Sequence, residues 1–269
     1  IWMTMDTWVN LVSDNKNRGK AIAFYNSAIS FGFAIGPLFI GFFGSKGTIP
    51  FIVAIILMII RTPVMMLIKK QVNNVKIPKL EKKIKFSFLK IAPFIFAAIF
   101  ISGTIDSSFG ALFPAFMINE FFSDKEIGYI FFIGMFFGVF CQPFVGALTD
   151  KISKRNLMFF FLIFHLIWPL LLSNFISYLT IVCIAIIICG IASISLYTVA
   201  LAYLGERVKT TELSIVTSVF IIIFEFGEFL GPITIGFIMN IYGNIGFIYA
   251  IISFTIFALF IGILRNILK

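Results

Sequence analysis

Glu225 and Glu228 stand three residues apart in a stretch, residues 213–240, that carries no other charge. On a helix this spacing puts both carboxylates on one face, and two carboxylates so close are not both ionised cheaply. A proton held by one of them and released on demand is the chemistry that a proton-coupled carrier needs. Asp106 is a third acid in an apolar run, with Thr104, Ser107 and Ser108 around it, a polar ring in which a solute can be held. Arg61, just before Pro63, suits an anionic group or a carboxylate, unless its long stem simply carries the charge out to the surface. Gln142, beside Pro143, is a further candidate for lining a pathway. An ionisable side chain at the centre of a membrane helix costs about 2.5 to 3.5 kcal/mol on insertion scales, so such groups face a partner or an aqueous cavity. The plainer reading stands beside this one: one glutamate neutral and hydrogen-bonded for packing, the other paired with a cation. His165, the single histidine, lies in an apolar stretch before Trp168 and Pro169 and reads as a packed core residue. Cys141, Cys183 and Cys189 sit in apolar runs without metal-ligand spacing. Neither a metal nor a cofactor is expected.

The elements that position these groups follow from composition. The chain is 60% hydrophobic and 12% charged with a mean hydropathy of +1.08, whereas a soluble domain carries about 25% charged residues. Only intrasegment hydrogen bonds satisfy a backbone in hydrocarbon, so the expected fold class is an all-α membrane protein built from spans of about 20 residues. A partial span ends near residue 12. Complete spans are expected at residues 20–43, 50–68, 91–118, 127–148, 157–172, 176–204, 212–240 and 246–264. The 37 Phe read as lipid-facing bulk, not as an aromatic binding box.

The net charge of +9 raises the possibility of nucleic acid, but the placement of the cations excludes it as the reason. All lysines and arginines except Lys46, Lys125 and Arg61 fall in alternate loops, which is the positive-inside pattern and puts residues 69–90 and the C-terminus on the cytoplasmic side. Residues 69–90 carry eight lysines against one acid, Glu81, and are expected to lie on anionic lipid.

The chain also contains one stretch twice. Residues 31–41 read FGFAIGPLFIG and residues 226–236 read FGEFLGPITIG; beyond a short turn, GTIPFIVAII at 47–56 answers GNIGFIYAII at 243–252. A long fixed period marks a duplicated structural unit, here a pair of membrane helices. Gly32, Gly36 and Gly41, with Gly227, Gly231 and Gly236, are expected to let helices approach closely, and Pro37 and Pro232 to loosen their backbone ladders. Because the second copy closes a group of six spans, the first should close another. The expected organisation is therefore the end of one six-helix bundle at residues 1–68, a basic central loop at 69–90 and a complete six-helix bundle at 91–269. On this reading the sequence is an N-terminally truncated fragment of a twelve-span protein, holding the tail of span 4 and spans 5–12.

Gly146-Ala-Leu-Thr-Asp150-Lys151-Ile-Ser153-Lys154-Arg155 resembles the signature that the major facilitator superfamily carries between the second and third spans of a half, and it falls at that place in the second bundle. Asn17-Arg18-Gly19-Lys20 ahead of Gly36-Pro37 resembles the entry to a fifth span. More narrowly, Asp6-Thr7-Trp8-Val9, residues 196–200 and residues 206–213 are similar to a branch of small bacterial carriers. Ser153 departs from the signature's glycine, an expected strain on the turn, and Asp6 stands where that branch usually has glutamate. The resemblance implies a secondary carrier of a small solute in a bacterial inner membrane, with no enzymatic activity, monomeric when complete, in which two bundles rock about a midplane site. Other readings remain a carrier-like receptor or scaffold, or an inactive gene fragment. It also implies a conformational latch made by Gly146, Asp150, Lys151, Lys154 and Arg155. Physically, a carboxylate gains from the positive end of a helix, and the helix beginning near Thr211 is the expected recipient.

Overall fold

The computed structural model describes residues 2–13, 16–43, 48–72, 93–209 and 212–267. They form helices α1 (Trp2–Val12), α2 (Arg18–Phe43), α3 (Ile49–Val72), α4 (Pro93–Asn119), α5 (Asp124–Lys151), α6 (Lys154–Phe175), α7 (Leu179–Arg207), α8 (Leu213–Tyr242) and α9 (Gly246–Ile267). The expected spans match these bounds to within a few residues. Six of them, in α4 to α9, are long and apolar enough to cross a membrane among the described residues. One extension is informative: α3 runs to Val72, so the helix continues four residues into the expected central loop, most of which lies outside the described residues together with Lys46.

Helix ends are set by local chemistry. Ser123 accepts from Glu126 N at 3.4 Å while the Glu126 carboxylate accepts from Ser123 N at 2.9 Å, a capping box that starts α5. Gly243 ends α8 with φ +70°, a left-handed position that a side chain would strain. Asn244, next in the chain, donates to Phe116 O at 3.1 Å and to the Glu120 carboxylate, which binds the α8–α9 turn to the end of α4.

Packing follows glycine. The main seams join α4 to α8, α5 to α7, α6 to α7 and α2 to α5. A Cβ at Gly103 or Gly227 would collide with the backbone of the opposite helix at Phe224 or Phe100, and one at Gly231 would meet Ser108 Oγ at 2.7 Å. Gly138 and Gly190 do the same for α5 and α7. At Gly32 and Gly236 no described atom lies within 4 Å of where a Cβ would lie, so close approach is seen among the described residues at Gly227 and Gly231 and not at these two. Surroundings of Gly36, Pro37 and Gly41 lie outside the described side chains. The phenylalanines need correction. Many are exposed, but Phe113, Phe116 and Phe247 are buried, Phe113 and Phe116 stack at 6.1 Å between centroids, and Phe116 and Phe247 at 5.2 Å. Trp168 completes this aromatic core, and its Nε1 donates to buried His165 at 3.4 Å, the packed place expected of that histidine.

Candidate functional site

Helical phase carries the acids inward. Asp106 lies near the middle of α4, Glu225 and Glu228 near the middle of α8, and Ser193 and Tyr197 on the same part of α7, so all reach one level. There they line a cavity of about 400 Å³. Asn26 and Ser30 of α2 and Asp6 of α1 complete its polar wall, so helices from both sides of the long central loop build it. Glu228 is within electrostatic reach of both Glu225 and Asp106, and Ser193 is in hydrogen-bonding reach of the Asp106 carboxylate.

Asp6 is fully buried. Its Oδ2 accepts a hydrogen bond from the Tyr197 hydroxyl, and the Tyr25 hydroxyl is in hydrogen-bonding reach of the same carboxylate. The rings of Tyr197 and Phe224 meet edge to face at 5.1 Å along the cavity wall. Asp6, Asn26 and Tyr197 were not among the residues read as a pathway. A signal was present for Asp6: with Asn10 it makes a polar pair one helical turn apart in an apolar segment.

Two expected pathway residues do not line the cavity. Arg61 is exposed on α3, away from the described lining. Gln142 is buried and serves packing between helices: its Nε2 donates to Ser195 Oγ at 3.3 Å, and its Oε1 accepts from Thr198 Oγ1 at 2.8 Å. Asn26 Nδ2 in turn donates to Thr198 Oγ1 at 2.7 Å. The result is a polar chain from α2 through α7 to α5.

The signature residues gather one end of the bundle. Asp150 does not reach the helix near Thr211, as the sequence suggested. It caps α2 instead: Oδ1 accepts from Gly19 N at 2.8 Å and Oδ2 from Lys20 N at 3.2 Å. These amides belong to the first turn of α2, where no intrahelical acceptor exists, and the carboxylate also meets the positive end of that helix. Gly19 and Gly146 make the approach possible, since a Cβ at Gly19 would lie 2.8 Å from Asp150 Oδ1 and one at Gly146 would lie 2.6 Å from Ala23 Cβ. The basic residues act within their own side of the molecule. Lys154 is buried and pairs with Glu206 of α7, and Arg155 Nη2 donates to Gly262 O of α9 at 2.9 Å, while Lys151 is exposed. Ser153 causes no strain, because its φ of −52° is open to any L-residue.

Membrane-length helices around a mid-depth acidic cavity, with polar contacts closing one end, define a multi-pass membrane protein of the transporter class. The chain belongs to the Major Facilitator Superfamily, whose model matches residues 1–121 and 95–267. Among its relatives, the "Uncharacterized MFS-type transporter YcaD" of Escherichia fergusonii is 24% identical over 271 residues, covering 99% of this chain and 68% of the relative. YfkF of Bacillus subtilis, described in the same words, is 24% identical over 253 residues, covering 91% of this chain and 63% of the relative. Ent638_1421 of Enterobacter sp. (strain 638) is 23% identical over 272 residues, covering 99% and 68%.

Proposed function

We propose that the chain works in a secondary active transporter of a small solute, with the cavity as its alternating-access site and protons as the coupling ion. The observation that carries the reading is the cavity itself: Asp106, Glu225 and Glu228 from one side of the central loop face Asp6 and Asn26 from the other. A site built from both parts opens to either face of the membrane when the two bundles, residues 1–68 and 91–269, rock about it. Glu228, held between two other acids, is the group assigned to carry the proton, and Glu225 and Asp106 set its affinity. Asp150 on the α2 terminus is the latch that holds the inner end shut. By charge placement that end is cytoplasmic, which puts the protein in an inner membrane with the lysine-rich residues 69–90 on anionic lipid.

Full-length protein in vesicles tests this by profiling uptake and efflux of labelled solutes at two pH values. A carrier exchanges a solute in counterflow and accumulates it against a pH gradient. The Glu228→Gln variant is expected to keep exchange and lose gradient-driven accumulation. Absence of exchange for every solute would overturn the carrier, and unaltered accumulation in Glu228→Gln would overturn the proton assignment.

A further inference from the structure

Four of the cavity's lining residues are carboxylic acids, Asp6, Asp106, Glu225 and Glu228, and among the described lining residues there is no lysine, arginine or histidine. Such a wall repels an anion and attracts a cation. Three further features narrow the ligand. First, Asp6 is buried at the cavity wall, where the Tyr197 hydroxyl donates to its carboxylate and the Tyr25 hydroxyl is in hydrogen-bonding reach, so an acid is fixed in place there. Second, among the described residues no group of three histidine, cysteine or acidic side chains is placed to hold a metal ion. Third, the remaining wall is apolar and aromatic. Ile29, Ile194 and Ile221 line it with Phe224 and Tyr197, whose rings offer the π-faces that attract a positive charge on an organic group. A volume of about 400 Å³ is far larger than a hydrated proton or a metal needs and lies in the range of small-molecule sites.

Resting on the carrier reading above, we propose that the solute is an amphipathic organic cation, a protonated or quaternary amine or its phosphonium analogue, bound with its charge among Asp6, Glu225 and Glu228 and its apolar groups against Phe224, Tyr197 and the isoleucines. Protons and the cation then compete for the same carboxylates, which links this ligand class to a proton gradient without any further site.

The test uses the purified full-length protein and two probes of the same shape and opposite charge, tetraphenylphosphonium and tetraphenylborate, with binding read by equilibrium dialysis. Tetraphenylphosphonium is expected to bind saturably and at least about tenfold more tightly than tetraphenylborate, and Glu225→Gln with Glu228→Gln should weaken it by about tenfold or more. Phe224→Ala, which leaves every charge in place, should weaken it by a smaller factor. Helical circular dichroism and gel-filtration profiles establish that each variant is folded. If the double variant does not fold, the single Glu225→Gln, at an exposed position, carries the comparison. Equal binding of the two probes, or tetraphenylphosphonium binding unmoved by the glutamine substitutions, overturns the proposal. Transport of neutral or anionic solutes without phosphonium binding sinks the ligand class and leaves the carrier standing. Phosphonium binding without exchange of any solute does the reverse.

Discussion

At the scale of single residues, the contact with the clearest consequence is Asp150 against the first turn of α2. Two amides of that turn donate to one carboxylate, and Gly19 is the residue that lets the carboxylate in. A charged cap on two otherwise unpaired amides contributes about 1 to 2 kcal/mol. Asp150→Ala is therefore expected to shift the balance between closed and open inner ends by about five- to thirtyfold. The shift is measurable as faster labelling of a cysteine placed at Ala23, which is buried against Gly146 in the α2–α5 contact, with helical content unchanged. Gly19→Val should have the same effect through sterics alone, because its side chain occupies the space of Asp150 Oδ1 and Thr149 Cβ. If labelling is no faster in either variant, this contact does not hold the end shut. Ser153 is a contrasting case: the signature's glycine is dispensable here because the backbone keeps φ negative. Ser153→Gly is expected to leave both labelling and stability unchanged.

At the scale of elements, close approach between helices depends on which glycines face a partner. Gly103 and Gly227 sit across the α4–α8 seam, each against the other helix's backbone. An added Cβ cannot be absorbed by turning a rotamer, so Gly227→Ala should lower stability by about 1 to 3 kcal/mol, seen as a fall in the midpoint of thermal unfolding. Gly236→Ala, with no described atom near it, should leave the midpoint in place. Both glycines belong to the same repeated pattern, and the pattern does not distinguish them. This sets what the sequence could yield. Spans were legible because hydrocarbon forces each one to satisfy its own backbone, and that requirement is written in local hydropathy. The inward acids Asp106, Glu225 and Glu228 were legible because charge in an apolar run has few places to go. Which helix faces which was not legible, since Gln142, Arg61 and Gly236 look equally suited to a cavity or a seam until a neighbour is known. The recipient of Asp150 was missed for the same reason: the N-termini of α2 and α8 offer equivalent dipoles, and only the α2–α5 seam selects between them.

At the scale of the whole molecule, contacts joining the two sides of the central loop run from the cavity wall to the bundle end that carries Asp150. Asp150 holds α2 to α5, Asn26 reaches Thr198 and through it Gln142, and Asp6 takes the Tyr197 hydroxyl. If the two sides rock about the cavity, these contacts must all break together when the inner end opens. Thr198 is the central member, because it donates to Gln142 and accepts from Asn26, so one hydroxyl couples three helices. Cysteines replacing Asn26 and Thr198 in a background lacking Cys141, Cys183 and Cys189 should form a disulfide on mild oxidation, since the native side chains already touch at 2.7 Å. The oxidised protein is expected to lose solute exchange while retaining binding from the opposite face, and reduction should restore exchange. A pair placed within one side, at Gln142 and Ser195, bridges α5 to α7 without crossing the central loop and should leave exchange intact. Loss of exchange in both pairs would point to general distortion of the helix ends, and retention in both would mean that the two sides do not separate at this level.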